Sequence, residues 1–153
     1  MKNLFDIQGQ VVVITGGTGV LGGKLGSTLP ASAKVVLMGR NEETGKQIAD
    51  DICGKGGEVM FLKTDVMNPV VVEQNLQDVL SAYGKVDALL NAAGGNMPGA
   101  TIAPTGTFFD LKVEEFERVL NVNLTGTVIP TQIFLRPMVE AGKGAIVNFS
   151  SMA

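Results

Sequence analysis

The chain has 153 residues, 45% of them apolar, 18% charged and 5% aromatic, with 12 basic against 15 acidic side chains and a net charge of −3. This is enough chain for one domain; it carries no basic footprint for a nucleic-acid backbone and no apolar run of membrane-spanning length. Histidine is absent and Cys53 is the only cysteine, which excludes His-dependent nucleophiles, His-based zinc hydrolases, intrachain disulfides and Cys-rich metal cages, and points to the reducing cytoplasm.

Short β-branched runs alternate with longer amphipathic segments, the pattern of repeated βα units on a parallel sheet. Val11-Val12-Val13-Ile14-Thr15 predicts the first strand, residues 20–29 a helix closing near Pro30, and Lys34-Val35-Val36-Leu37-Met38 the second strand. Asn41 suits the N-cap of a helix over 42–52, which Gly54-Lys55-Gly56-Gly57 breaks before a third strand at 58–63. Asn68-Pro69 opens a helix running to Ala82. A fourth strand at 86–90 runs into Asn91-Ala92-Ala93-Gly94-Gly95 and a loop reaching Asp110, of a length that commonly serves substrate contact.

Phe116, Val119, Leu120, Leu124 and Val128 at helical spacing predict one long helix over 113–139, kinked near Pro130. Its apolar stripe is expected to pack on the sheet. Gly142-Lys143-Gly144 ends it, and Ala145-Ile146-Val147-Asn148-Phe149 is the fifth strand. Such a strand expects cover on both faces, yet the sequence ends at Ala153. The expectation is an α/β, doubly wound Rossmann-type parallel sheet with strand order 3-2-1-4-5, truncated after the fifth strand, so that residues 1–153 form an incomplete nucleotide-binding domain.

Thr15-Gly16-Gly17-Thr18-Gly19-Val20-Leu21-Gly22 joins the first strand to the first helix. Amide N–H groups and the positive end of a helix attract phosphate oxygens at such a junction, and glycine lets the main chain approach them. Gly17-x-Gly19-x-x-Gly22 is a GxGxxG with the strand and helix flanks that a dinucleotide pyrophosphate requires, although a tight turn with close helix packing would use the same glycines. Cofactor contacts are therefore expected from Gly16, Thr18, Gly19, Val20, Leu21 and Gly22. The second strand ends in Gly39-Arg40-Asn41, with no carboxylate to take ribose hydroxyls. Arg40, with Asn41 beside it, favours the 2′-phosphate of NADP over NAD, unless Arg40 stacks on the adenine or faces solvent. Asp65 is placed to accept from an adenine amino group or to form an Asx turn.

Five motifs in order resemble the short-chain dehydrogenases/reductases over essentially the whole chain: the Thr15-Gly16 loop, Asp65-Val66, Asn91-Ala92-Ala93-Gly94, Asn123-Leu124-Thr125-Gly126 and Asn148-Phe149-Ser150-Ser151. The glycine loop reads Thr-Gly-x-x-Gly-x-x-Gly, with Val20 where the classical branch has a glycine. That form is typical of the extended branch of sugar-nucleotide epimerases and dehydratases, whereas Asn91-Ala92-Ala93-Gly94 and Ser150-Ser151 resemble the classical branch. Gly19-Val20-Leu21-Gly22-Gly23, Asn91-Ala92-Ala93-Gly94-Gly95-Asn96, Thr107-Phe108-Phe109-Asp110-Leu111 and Pro130-Thr131-Gln132 are similar to the D-mannonate oxidoreductase or fructuronate reductase group.

The resemblance implies reversible hydride transfer between NADP or NAD and a keto or hydroxy group on a small substrate, a sugar acid such as fructuronate or mannonate, by a homo-oligomer. It also implies that Ser151 hydrogen-bonds the substrate oxygen and that Asn123 holds a proton-relay water, work suited to a preorganised donor and to a buried side-chain amide. A loop hydroxyl and an amide satisfying neighbouring backbone are the plainer alternatives. Asn91 and Gly94 are implied as the floor under the cofactor, bordered by Val66 and Ala92. The family's proton donor is the tyrosine of a Tyr-x-x-x-Lys pair, its pKa lowered by the lysine and the nicotinamide charge. The only tyrosine here, Tyr83, is followed by Gly84-Lys85-Val86-Asp87 and is expected to pack or to face solvent. Two outcomes follow: a longer oxidoreductase whose residues 1–153 are inactive alone, or a non-catalytic dinucleotide-binding polypeptide.

Overall fold

In the computed structural model, which describes residues 6–29 and 32–150, the five apolar runs form one parallel sheet. The strands are β1 (Val11–Thr15), β2 (Lys34–Gly39), β3 (Glu58–Lys63), β4 (Ala88–Asn91) and β5 (Ala145–Asn148), in the expected order β3-β2-β1-β4-β5. Central β1 is registered on both neighbours, with Val12 opposite Val35 of β2 and Ala88 of β4. Every β1 side chain is buried, which is why its sequence is an uninterrupted apolar run and not an alternating one.

Each sheet face has its own helical layer. Val12, Ile14, Val35 and Leu37 pack with Leu25 of α1 (Val20–Thr28) and Ile48 of α2 (Glu42–Cys53). Val11, Val13, Val36, Met38 and Leu89 pack on the other face, with Val72, Leu76 and Val79 of α3 (Pro69–Tyr83) and Ile133, Phe134 and Met138 of α5 (Gly126–Glu140). Local chemistry sets the helix ends. Asn41 Oδ1 accepts the Thr44 N–H at 3.0 Å and Asn68 Oδ1 accepts those of Val70 and Val71. Gly84, at φ 72°, terminates α3 in the left-handed conformation. Pro30, expected to close α1, lies outside the described residues.

Three expectations are corrected. The helix foreseen over 113–139 consists of α4 (Val113–Leu120) and α5 joined by a π-turn, Asn121–Thr125, where the Gly126 N–H reaches back to the Asn121 carbonyl. The irregularity is there and not at Pro130, which lies buried inside α5. Side chains complete the wide turn: Asn123 Nδ2 donates to the Val119 carbonyl at 2.8 Å and the Thr127 hydroxyl to the Asn123 carbonyl at 2.9 Å. The long loop also has internal structure, in 3₁₀ turns at Pro98–Ala100 and Phe108–Asp110. In the second, Asp110 accepts from the N–H and then the hydroxyl of Thr107, which holds its carboxyl below the usual range. Finally, β4 begins at Ala88, because Val86 is already buried and Asp87 uses its side chain as well as its backbone to meet β1.

Asp87 ties the N-terminal ends of three strands together. Its carboxylate accepts the Val11 N–H at 2.9 Å and lies 2.6 Å from Lys85 Nζ and 4.0 Å from Lys143 Nζ, while its backbone bonds Val11 and Ala145. Burial pushes the carboxyl up, but the Lys85 and Val11 hydrogen bonds and the two lysine charges outweigh it and hold the pKa below its ordinary 3.8. A depressed folded pKa stabilises the fold above the unfolded value and ceases to do so as pH falls through the folded one. Asp87→Ala is expected to lower the free energy of unfolding at pH 7 by about 1–3 kcal/mol. The gap to the unsubstituted protein, read by urea denaturation, should narrow below about pH 4.

Candidate functional site

The chain leaves β1 through α1 to β2 on one side and reaches β4 on the other, so the strand order reverses beside β1 and a crevice opens beyond the carboxyl ends of the strands. It is lined by Gly16, Thr18 and Gly19 after β1, Met38, Gly39 and Arg40 at the end of β2, Thr64, Asp65, Val66 and Met67 after β3, Ala92, Ala93 and Gly94 after β4, and Val122 of the π-turn.

The glycine turn forms one wall of the crevice. Gly16 has φ 68°, and a Cβ on it would stand 2.6 Å from the Ala92 carbonyl oxygen, so both backbone and space exclude a side chain. Gly22 is buried against the Gly16 main chain for the same reason of space. The turn is closed by Gly17 N–H to the Met38 carbonyl and Gly19 N–H to the Gly16 carbonyl, each at 2.9 Å. α1 therefore starts from Gly19 with no side-chain cap, whereas asparagines cap α2 and α3. The first-turn amides of Val20, Leu21 and Gly22 have no intrahelical partner. An uncapped positive helix end facing a groove that a Cβ would fill fits a phosphate group. Val20 and Leu21, at 96% and 48% exposed, direct their side chains to solvent and offer that site only main chain.

The other predicted residues fall into distinct places. Arg40 is exposed on the crevice lip and has no ion-pair partner among the described residues. The nearby Glu42 is occupied by Lys46 and Lys63, whose hydrogen bonds and charges hold its carboxyl low. Asn41 is not among the lining residues; its side chain is the α2 cap. Asp65 lines the crevice and also accepts the Met67 N–H at 3.0 Å, so the Asx turn and the lining position coexist. Asn91 lies beneath the crevice, 2% exposed, donating to Thr131 Oγ1 and Asn148 Oδ1 at 2.9 Å each, with its own Oδ1 buried and unpartnered.

Asn123 departs from expectation. It is exposed, not buried, and both its amide hydrogens are taken, by the Gly95 and Val119 carbonyls at 2.8 Å, while Oδ1 accepts the Gly95 N–H at 3.1 Å. Its amide anchors a loop, and a water held there would donate to the remaining lone pair of Oδ1. Ser151 lies outside the described residues. Sequence reasoning passed over Thr15, whose buried hydroxyl accepts the Ala92 and Ala93 N–H groups at 3.2 and 3.1 Å and so joins the β1 and β4 ends. A threonine closing an otherwise apolar strand was the available signal.

The profile of the short chain dehydrogenase family matches residues 10–153. The chain belongs to that family. Among similar proteins, the uncharacterized oxidoreductase UxuB of Bacillus subtilis is 34% identical over 97% of this chain and 56% of its own length. A candidate D-mannonate oxidoreductase from Haemophilus influenza, solved with bound NAD, superposes with a TM-score of 0.80 at 31% identity over 87% of this chain and 51% of that one. A metagenomic short-chain oxidoreductase in complex with NADP gives a TM-score of 0.82 at 29% identity over 97% and 65%. This short-chain dehydrogenase chain thus spans about half the length of the curated relatives it matches, 56% and 55% for the first two.

Within it, Tyr83 sits at the C-terminal end of α3, with Lys34 Nζ 5.1 Å from its ring centroid. Burial, and then the Glu58 and Cys53 charges, raise its pKa, the opposite of what a proton donor of this family needs. Among the described residues no helix is long and apolar enough to cross a membrane. Gly16→Ala is expected to destabilise the chain by about 1–3 kcal/mol through its left-handed backbone and the Ala92 clash, read as a fall in the thermal unfolding midpoint.

Proposed function

We propose that the protein is a nicotinamide-dinucleotide-dependent oxidoreductase acting on a keto or hydroxy group of a sugar acid such as fructuronate or mannonate, with residues 1–153 as its cofactor-binding part. The observation that carries this is the uncapped start of α1 above the Gly16–Ala92 contact, in a chain of this family. The sugar-acid class is supported by similarity to the candidate D-mannonate oxidoreductase. A bound reduced nicotinamide supplies hydride to a carbonyl carbon. The chain's part is to seat the pyrophosphate on the Gly16 to Gly22 turn, to place Asp65 beside the adenine, and to set Ala92 and Gly94 under the nicotinamide half. Ser151, in this reading, hydrogen-bonds the substrate oxygen and stabilises its developing charge.

NADP is the proposed cofactor, with NAD the alternative, because Arg40, without an ion-pair partner among the described residues, stands on the lip where a 2′-phosphate would lie. We place the protein in the cytoplasm as a homo-oligomer. The face between copies would include Phe116, Leu120, Leu124 and Val128, which remain 42% to 64% exposed while Ile133 and Phe134 take up the core packing; the molar mass from light scattering checks it.

A second reading is a dinucleotide-binding polypeptide without catalysis, since the glycine turn seats a pyrophosphate whether or not hydride transfer follows. The two separate in one experiment. The full-length protein should consume NADPH with D-fructuronate, and Ser151→Ala should cut the rate about 100-fold or more. Arg40→Asp should shift preference toward NADH by roughly ten-fold or more. The polypeptide 1–153 alone should quench or shift NADPH fluorescence without turnover. Full activity in Ser151→Ala removes that residue from the mechanism, and binding without any turnover by the full-length protein favours the second reading.

A further inference from the structure

The first part of the loop after β4 is held at two points against the helical run formed by α4 and the π-turn. The first is Gly95, whose N–H and carbonyl both bond the Asn123 amide. The second is Gly99, whose N–H donates to Glu115 Oε2 at 2.8 Å while its carbonyl accepts the Lys112 N–H at 2.8 Å. Both polar groups at Gly99 are therefore fastened to the start of α4. Glu115 has a side chain only 26% exposed, with Lys112 Nζ 3.7 Å from its other oxygen.

The fit at this second point is close. A Cβ at position 99 would stand 2.6 Å from the Glu115 carboxylate, and Gly99 is not among the glycines with positive φ. An alanine there would displace the end of the Glu115 side chain without straining the backbone. The segment between and beyond the two points carries Asn96 and Thr101, bonded to each other at 2.7 Å, and it continues directly from Gly94, which lines the crevice.

We propose that Glu115 is a positioning residue for the substrate. It holds the segment 95–101, which continues from the crevice-lining Gly94, as a fixed wall at the mouth of the crevice where the substrate enters. This deepens the oxidoreductase reading given above and rests on it. A carboxylate accepting a backbone amide is a stronger anchor than a neutral acceptor, and a wall displaced by an ångström costs substrate orientation while leaving the phosphate and adenine contacts intact. Glu115 touches neither Gly16 to Gly22 nor Arg40, so its removal separates substrate from cofactor effects.

The test uses the full-length protein and three measurements: hydrogen–deuterium exchange in the peptide spanning 96–107, NADPH affinity by fluorescence, and steady-state kinetics with D-fructuronate. In Glu115→Ala, exchange at 96–107 should accelerate and KM for D-fructuronate should rise roughly ten-fold, with kcat and the NADPH Kd within about two-fold. Glu115→Gln, which keeps an acceptor oxygen but not the charge, should fall between the unsubstituted protein and Glu115→Ala in both. Gly99→Ala, which pushes the carboxylate away without straining the backbone, should reproduce Glu115→Ala, and the double variant should add little to either. Unchanged exchange in Glu115→Ala overturns the proposal, as does a parallel loss of KM, kcat and NADPH affinity, which would mean general damage. Absence of turnover by the unsubstituted protein would defeat the sugar-acid reading; the exchange and NADPH measurements would then still decide whether Glu115 holds this segment.

Discussion

Everything at the upper end of this fold depends on how closely two stretches of main chain approach each other. Gly16, turning out of β1, lies against Ala92, leaving β4, at a separation that excludes even a methyl group. The contact fixes where α1 begins and therefore where its free amides point. It also fixes the spread of the two strand ends, which is the width of the crevice. Thr15 reinforces it from below, with one hydroxyl accepting two amides of the β4 end. The strands at the centre of the sheet, β1 and β2, are buried on both faces and hold this end of the turn in place.

Around that contact, side chains repeatedly do the work of backbone. Asn123 satisfies the Val119 carbonyl of α4, and Thr127 the Asn123 carbonyl in the π-turn. Asn91 links α5 to β5 through Thr131 and Asn148, and Glu115 and Asn123 hold the loop that follows β4. Buried or constrained backbone groups need partners, and these residues supply them where regular hydrogen-bond ladders end. At the opposite end of the sheet Asp87 performs the same task for β1, β4 and β5 with a charge. The crevice is thus bounded by amide and hydroxyl chemistry, with Arg40 on its lip and Asp65 in its wall.

Much of this was legible in the chain. The all-apolar runs at β1 and β2 announce strands buried on both faces, Asn41 and Asn68 announce helix starts, and the glycine spacing after β1 announces a close approach to phosphate. The reading was less secure where the cause is a contact between distant residues. A π-turn and a kink at Pro130 give the same apolar periodicity, and the turn is decided by Asn123 reaching Gly95, far away in sequence. Asn41 served as a cap because local hydrogen bonding claims its side chain before the crevice can.

The sequence by itself determined the fold class and the place of the glycine turn, because these follow from hydrophobic periodicity and from residues acting on their immediate neighbours, and the strand order followed from that turn's place in a nucleotide-binding fold. The tertiary structure alone decided which side chains remain free to meet a ligand. Among the described residues Arg40 has no ion-pair partner, while the neighbouring Glu42 is held by Lys46 and Lys63. Asn123 is spent on Gly95, and Glu115 on Gly99. Whether a polar group is available depends on the partners that folding brings within about 3 Å of it, and those partners lie elsewhere in the chain.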